Sequence, residues 1–261
     1  MMLNKQPVKV KKRPPKKIKI NPSAWKLILY THSNWIFGKC RVNATIWYSQ
    51  YNHEDCELSG NTDKNSSAKS VQLIAGLANP GKEYAKSRHN AGAWLIDALL
   101  HQHSLSALKV ENKFHASVTT WSIAAGKCYV LIPNTYMNDS GRAIKAIANF
   151  YRIPTASILI VHDDLDLLPG VARYKQGGGD GGHNGLKDIV AHLHSKDFWR
   201  LRLGIGHPGQ RDHVHDYVLS IPSVVDKQRI ELAIELALST LTRFVEGNQE
   251  QAMQILHTQQ E

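Results

Sequence analysis

The chain has 261 residues, 42% of them hydrophobic and 21% charged, which is enough to bury one good core, with two small domains possible in principle. No stretch approaches the roughly 18 apolar residues needed to cross a bilayer, which excludes a helical membrane span. The net charge of +10 is unevenly placed: residues 1–70 hold 13 Lys and Arg against 4 Asp and Glu, whereas residues 71–261 hold 19 against 18. Any nucleic-acid contact made by the body must therefore rest on local placement of cations. Cys40, Cys56 and Cys128 are odd in number and widely spaced with no CxxC pair. Neither a disulfide framework nor a zinc site is indicated, and a reducing cytoplasm fits.

Residues 1–70 read as a basic N-terminal extension outside the fold. Lys9 to Lys19 is mostly Lys and Arg with two prolines, a run that self-repels and resists helix formation. Trp25 to Tyr51 has aromatics but no sustained period, and Glu57 to Ser70 has the polar composition of a linker. A secretory signal is disfavoured because Lys26, His32 and Asn34 interrupt the apolar part. A basic RNA-binding arm is one reading. A dispensable or mis-assigned upstream extension, disordered, with translation starting at Val71 or Leu73, is the preferred one.

From Val71 the texture changes. Val71 to Leu77 reads as a buried strand ended by the breaker Asn79-Pro80-Gly81. Asn90 to His103 predicts a helix with Ala91, Trp94, Leu95, Ala98 and Leu99 on one face. Ser117 to Trp121 and Lys127 to Ile132 predict strands, with Ala125-Gly126 able to turn between them. Ser140 to Tyr151 suits a helix capped by Asp139 or Ser140. Ser157 to His162 predicts a strand ending in Asp163-Asp164-Leu165-Asp166, Arg200 to Gly206 another, and Pro222 to Glu246 a long helix. Strands alternating with helices point to one α/β domain over residues 71–261, its sheet flanked by helices.

Four segments put polar residues beside strand ends or tight turns, where sites in α/β sheets usually sit: Gly76 to Gly81, Ser87 to Gly92, Asn134 to Asn138, and Gly177 to Gly185. His89, at a helix start, is poorly placed to be protonated because the N-terminal dipole disfavours positive charge. A neutral imidazole there can act as a general base, or it can simply bond backbone. Asp163 could orient such an imidazole and stabilise its charged form, or cap loop amides. Asp164 and Asp166 are rivals, although alternation points Asp164 away from Asp163. Asn79, Asn138 and Asn184 each offer donors and an acceptor without charge, suited to a peptide backbone and a developing oxyanion, or to plain turn chemistry. The loop from Gly177 to Gly182 permits close backbone approach and motion. His183 could be a second catalytic imidazole, with a structural role beside Asn184 preferred. There is no Gly-x-Ser-x-Gly elbow and no His-Glu-x-x-His cluster, and Cys128 lies in an apolar strand pattern. A base and carboxamides without an evident nucleophile point to attack by water.

Together these segments resemble the bacterial-type peptidyl-tRNA hydrolase family from about Val71 to about Glu246. The specific stretches are Glu83-Tyr-Ala-Lys-Ser-Arg-His-Asn-Ala-Gly92 and Gly179-Asp-Gly-Gly-His-Asn-Gly-Leu-Lys-Asp-Ile189, with Gly76 to Gly81 and Val161-His-Asp163 in support. The resemblance implies a single α/β domain with a mixed sheet, acting without metal or cofactor as a cytoplasmic monomer. It implies hydrolysis of the ester joining a peptide to the 3′ ribose of tRNA, with peptidyl-tRNA as the partner. It implies His89 as base, Asp163 as its support, and Asn79 as the residue separating peptidyl-tRNA from free aminoacyl-tRNA. Asn138 and Asn184 match amides that hold substrate and water, Tyr84 and Tyr136 line the tRNA-end and peptide site, and Lys175 and Arg202 match cations associated with the 5′-phosphate. Ser87 stands where Thr is usual, Tyr136 where Phe is more frequent, and Asp180 puts an unexpected negative charge in the glycine loop. Two other readings compete. A nucleotide-binding module is suggested by Gly76-x-x-x-x-Gly81-Lys82, against which Glu83 removes the magnesium hydroxyl and Pro80 lacks an amide. The second is a non-catalytic RNA-binding relative.

Overall fold

The computed structural model describes residues 70–259, all within one compact unit; the basic extension and the disorder expected of it lie outside the described residues. Seven strands build the sheet: β1 (Leu73–Gly76), β2 (Lys109–Glu111), β3 (Ala116–Ile123), β4 (Gly126–Pro133), β5 (Ile158–Asp164), β6 (Ala172–Gln176) and β7 (Trp199–Gly204). Their order is β2-β3-β4-β1-β5-β7-β6. The central β4, β1, β5 and β7 are mutually parallel, while β2, β3 and β6 pair antiparallel toward the edges, so the sheet is mixed. Helices α1 (Ala91–Gln102), α2 (Ser140–Tyr151), α3 (Asn184–Leu193), α4 (Val214–Leu219), α5 (Val224–Val245) and α6 (Gln249–Thr258) complete the domain.

The central strands read as unbroken apolar runs because both faces are covered. Ile74, Leu159 and Val161 pack with Leu95 and Leu99 of α1 and Leu241 and Phe244 of α5. Their neighbours Leu73, Ala75, Ile158 and Ile160 pack on the other face with Ile144 and Ile147 of α2 and Leu186 and Ile189 of α3. Helix α1 lies close over the sheet because Gly92 has no side chain: a Cβ there would sit 2.5 Å from Leu77 N and from Val161 O. The glycine following His89-Asn90-Ala91 is thus a packing requirement that seats the helix beside the strand ends. The buried stripe of α1 is Ala91, Gly92, Leu95, Ile96 and Leu99. Trp94 falls at its rim, where its Nε1 donates to Ala85 O at 2.9 Å and Lys227 lies 3.4 Å from the ring centroid.

Three features differ from expectation. The edge strands β2 and β6 carry charged residues between few apolar ones, and α6 buries only Gln249, Ala252 and Leu256, so neither period is strong. Helix α3 opens on Asn184-Gly185, poor helix formers; its amides are capped instead by the His183 ring. Neither Asp139 nor Ser140 caps α2 with its side chain: Ser140 Oγ donates to Met137 O, and Gly141 N donates at 2.7 Å to Asp188 Oδ2, reaching in from α3.

Candidate active site

The site forms where the sheet parts. Leu77 N donates to Val161 O, the last rung between the β1 side and β5. Asn79 N, two residues on, turns instead to Asn90 Oδ1 at 2.9 Å, and Asn90 Nδ2 returns a bond to Asn79 O at 3.0 Å. This reciprocal pair ties the loop after β1 to the short 3-10 turn Arg88–Asn90 that carries His89. Asn79 Oδ1 accepts from Met137 N at 2.8 Å, which fixes the carboxamide so that its N–H donors can serve the cleft it lines.

Asp163, near the end of β5, receives two imidazoles. His89 Nδ1 lies 2.9 and 3.1 Å from its two oxygens, and His183 Nε2 lies 3.1 Å from Oδ1. Backbone amides only donate and carboxylates only accept, which assigns both rings. His183 Nδ1 accepts from Gly185 N at 3.1 Å and Leu186 N at 3.3 Å, so its proton sits on Nε2 and points at Asp163. His89 donates from Nδ1, which leaves Nε2 to carry the lone pair whenever the ring is neutral. The preferred structural role of His183 and the suggested second imidazole thus meet in one ring, which caps α3 and also touches the carboxylate.

The expectation that the helix start would keep His89 less basic is corrected. Burial does pull its pKa down, but the Asp163 charge and hydrogen bond push it up further, and the net direction is upward from 6.5. Burial would raise the Asp163 carboxyl, yet the two imidazoles and their hydrogen bonds outweigh that and hold it well below the ordinary carboxylate range. By residue type and spacing, His89, Asp163 and His183 could also hold a metal ion, as could Asp139, Asp188 and His192. In the first group Asp163 already accepts from two imidazoles, and in the second Asp188 is occupied in capping α2.

A cleft of about 1010 Å³ gathers all nine residues to which the resemblance assigns a role. His89, Asp163 and Asn79 are buried in its wall, while Asn138 and Asn184 are exposed. Tyr84 and Tyr136 meet edge to face with ring centroids 6.5 Å apart. Lys175 is exposed on β6, its stem against Gly178. Arg202 is already engaged: its Nε lies 2.6 Å from Asp164 Oδ2, and an outer nitrogen lies 3.8 Å from Asp166 Oδ2. Asp164 therefore points away from His89, as alternation predicts. Asp180 fastens the glycine loop, its Oδ1 accepting from Gly182 N at 2.9 Å and its carbonyl from His183 N.

Four residues outside that set also shape the site. Arg200 is buried and binds the carbonyls of Gly178 and Gly179, anchoring the loop; in the sequence it is merely a charged residue opening a strand. Arg88 bonds Ser220 Oγ at 2.6 Å and stacks 4.1 Å from the Tyr217 centroid, tying α4 to the His89 turn. Met137, apolar and so passed over, supplies the amide that orients Asn79. His162, hidden in an apolar strand, donates from Nδ1 to Asp163 O at 2.7 Å.

Phosphate cradling by Gly76 to Lys82 is not supported: Leu77 N and Asn79 N are both spent inside the protein, Pro80 has none, and Glu83 carboxylate oxygens crowd Gly81 at 2.6 Å from its would-be Cβ.

The profile of the family described as peptidyl-tRNA hydrolase matches residues 73–261. The chain belongs to the peptidyl-tRNA hydrolase family. It is 50% identical over 191 residues to a peptidyl-tRNA hydrolase of Nitrosospira multiformis, covering 73% of this chain and 100% of that protein. To one of Coxiella burnetii it is 49% identical over 191 residues, covering 72% and 98%. Among solved structures it is similar to peptidyl-tRNA hydrolase from Acinetobacter baumannii, with TM-score 0.69, 44% identity, and 73% and 97% of the two chains covered. Among the described residues no helix is long and apolar enough to cross a membrane.

Proposed function

We propose that this chain hydrolyses peptidyl-tRNA, releasing tRNA and a free peptide, with the catalytic domain in residues 71–261 and residues 1–70 as an extension outside it. The observation that carries the reading is the His89 tautomer: a buried carboxylate holds the Nδ1 proton, so the Nε2 lone pair is the base. Three carboxamides line the same cleft, and among the described residues no hydroxyl or thiol is hydrogen-bonded to His89 as a nucleophile would be. Cys128 is buried, and burial pushes its thiol up to about 12.

In this mechanism a water held by Asn138 or Asn79 gives a proton to His89 Nε2 as its oxygen bonds the ester carbonyl carbon. Asp163 stabilises the resulting imidazolium, and amide N–H donors stabilise the oxyanion. Collapse breaks the bond to the ribose 3′ oxygen, which takes the proton back from His89; the peptide is formed as its carboxylic acid and gives the water's second proton to solvent as it leaves. Asn79 and Asn184 hold the peptide backbone, Tyr84 and Tyr136 flank the peptide and tRNA end, and Lys175 and Arg202 meet the 5′-phosphate. The enzyme acts in the cytoplasm as a monomer, without metal, cofactor or obligate protein partner.

The test is release of tRNA from N-blocked aminoacyl-tRNA, with unblocked aminoacyl-tRNA as control, using chains with and without residues 1–70. Base catalysis contributes on the order of 10²–10⁴-fold, so His89→Ala should lose that much turnover while binding tRNA as before. Near-native turnover by His89→Ala, or equal cleavage of both substrates by the native chain, refutes the reading.

A further inference from the structure

His162 is buried, lines the cleft, and has no part in the mechanism above. Along β5, Val161 O accepts from Leu77 N. In a parallel ladder the next acceptor on that side is Asp163 O, two residues on, and its natural donor is Asn79 N. That amide is diverted to Asn90 Oδ1. The Asp163 carbonyl is therefore left at the opening of the sheet without its rung, and the His162 ring supplies the donor, Nδ1 to O at 2.7 Å. The other face of the same segment stays in register, Ile205 N donating to Asp164 O at 3.0 Å.

We propose that His162 is a positioning residue of the catalytic centre: its Nδ1–H replaces the missing rung on the Asp163 carbonyl and so fixes the peptide from which the carboxylate meets His89 and His183. Its ring also packs edge to face against His183, centroids 5.1 Å apart, so one side chain braces the carboxylate from its backbone and from its second imidazole. Burial, then the neighbouring His183, holds His162 far below the ordinary histidine range, against the opposing pull of Asp164 and Asp163. It therefore stays neutral beside Asp163 and leaves His89 as the proton acceptor.

A filler role does not explain an imidazole here. Among the described residues no protein group bonds its buried Nε2, and enclosing an acceptor without a protein partner is unfavourable. An apolar side chain would fill the volume without that cost but could not donate to the Asp163 carbonyl.

The inference rests on the hydrolase reading, and its test separates the two. His162→Asn keeps a donor at the place of Nδ1 and drops the rest of the ring; His162→Phe keeps a ring and drops the donor. Both are compared with the native chain on N-blocked aminoacyl-tRNA from pH 5 to 9, with kcat and KM resolved and melting curves recorded. His162→Phe should lower kcat between about ten- and a hundredfold, as displacement of a catalytic group does, leave KM within about twofold, and move the acid limb set by His89. His162→Asn should recover most of kcat and the native limb. A folded Phe variant with native kcat and limb overturns the proposal, as does an Asn variant that folds yet is as slow as Phe. Should Phe fail to fold, ¹⁵N-histidine spectra of the native chain still decide: the proposal requires a His162 with its proton on Nδ1 and no titration across that range, and the opposite tautomer or an imidazolium overturns it. A native chain that releases no tRNA condemns the hydrolase reading instead, while those spectra still test the His162 bond.

Discussion

Asp163→Asn probes the centre without changing its shape. His183 cannot adapt to the new amide, because its Nδ1 is held by the Gly185 and Leu186 amides and its Nε2 must go on donating. The Asn oxygen must therefore take the place of Oδ1, which meets both His183 Nε2 at 3.1 Å and His89 Nδ1 at 2.9 Å, and this puts the NH₂ in the place of Oδ2, 3.1 Å from His89 Nδ1. With its Nδ1–H still on that shared oxygen His89 has the NH₂ donor pressed against it, and it escapes only by moving its own proton to Nε2, the atom that has to be a base. The alternative, a donor facing a donor at His183, costs about 2 kcal/mol. Loss of the carboxylate that stabilises the imidazolium costs about 4 kcal/mol more, for charges about 4 Å apart with an effective dielectric near 20. The sum of about 6 kcal/mol corresponds to a fall in kcat of roughly four powers of ten, comparable to the loss when a triad aspartate becomes Asn. Because Asp163 is what raises the His89 pKa, the acid limb of kcat/KM must also move to lower pH in the variant. Single-turnover release of tRNA from N-blocked aminoacyl-tRNA across pH 5–9 reads both quantities. A variant within about tenfold of native turnover, or with an unmoved limb, would show that neither the tautomer nor the charge is set as described.

Lys175→Ala should weaken tRNA binding and reduce the slope of log affinity against log salt by about one. Arg202→Ala should weaken it more, since Asp164 and Asp166 lose their partner and face the phosphates as free anions; titrations giving equal losses would contradict this. Gly92→Ala places a methyl 2.5 Å from rigid backbone of both β1's exit and β5 and should destabilise the fold by about 1–3 kcal/mol, measured as a lowered urea midpoint; an unchanged midpoint would mean that α1 is free to move. His257 Nε2 accepts from Tyr174 N at 3.1 Å on edge strand β6, and burial, then Arg173, lowers its pKa. The stability it lends is present above 6.5, the ordinary histidine value, and is lost as pH falls through its lower folded value; exchange of the Tyr174 amide, corrected for intrinsic rate, should accelerate over that fall, and a flat profile would refute it.

What could be read from the chain and what could not divide along a physical line. Strands such as Ile158 to Val161 were legible because burial on both faces demands apolar residues in succession, and His89, Asp163 and the three asparagines because polar residues at strand ends are placed for chemistry. Edge strand β6 and helix α6 were not, since a chain needs little apolar period where it covers little core. The direction of the His89 shift was misjudged because sequence order shows the helix dipole and offers Asp163 as a partner, but not the 2.9 Å contact through which the carboxylate outweighs burial. The ion pair of Arg202 with Asp164 was hidden in the same way, the two lying 38 residues apart in sequence and 2.6 Å apart in space.

Asn79 shows most clearly how local and distant demands join. Asn79-Pro80-Gly81 is legible as a breaker, which explains why β1 stops but not what its stopping achieves. By sending its amide to Asn90 rather than to β5, Asn79 ends the ladder at the point where Asp163 emerges. The same exchange draws the His89 turn against the strand end, while the Asn79 side chain, its oxygen held by Met137, keeps its donors for the cleft. A centre made this way depends on a hydrogen bond the sheet does not form; backbone groups fix His162 and His183, and the Asp163 carboxylate fixes His89, which is why replacing that one carboxylate by an amide suffices to disable the base.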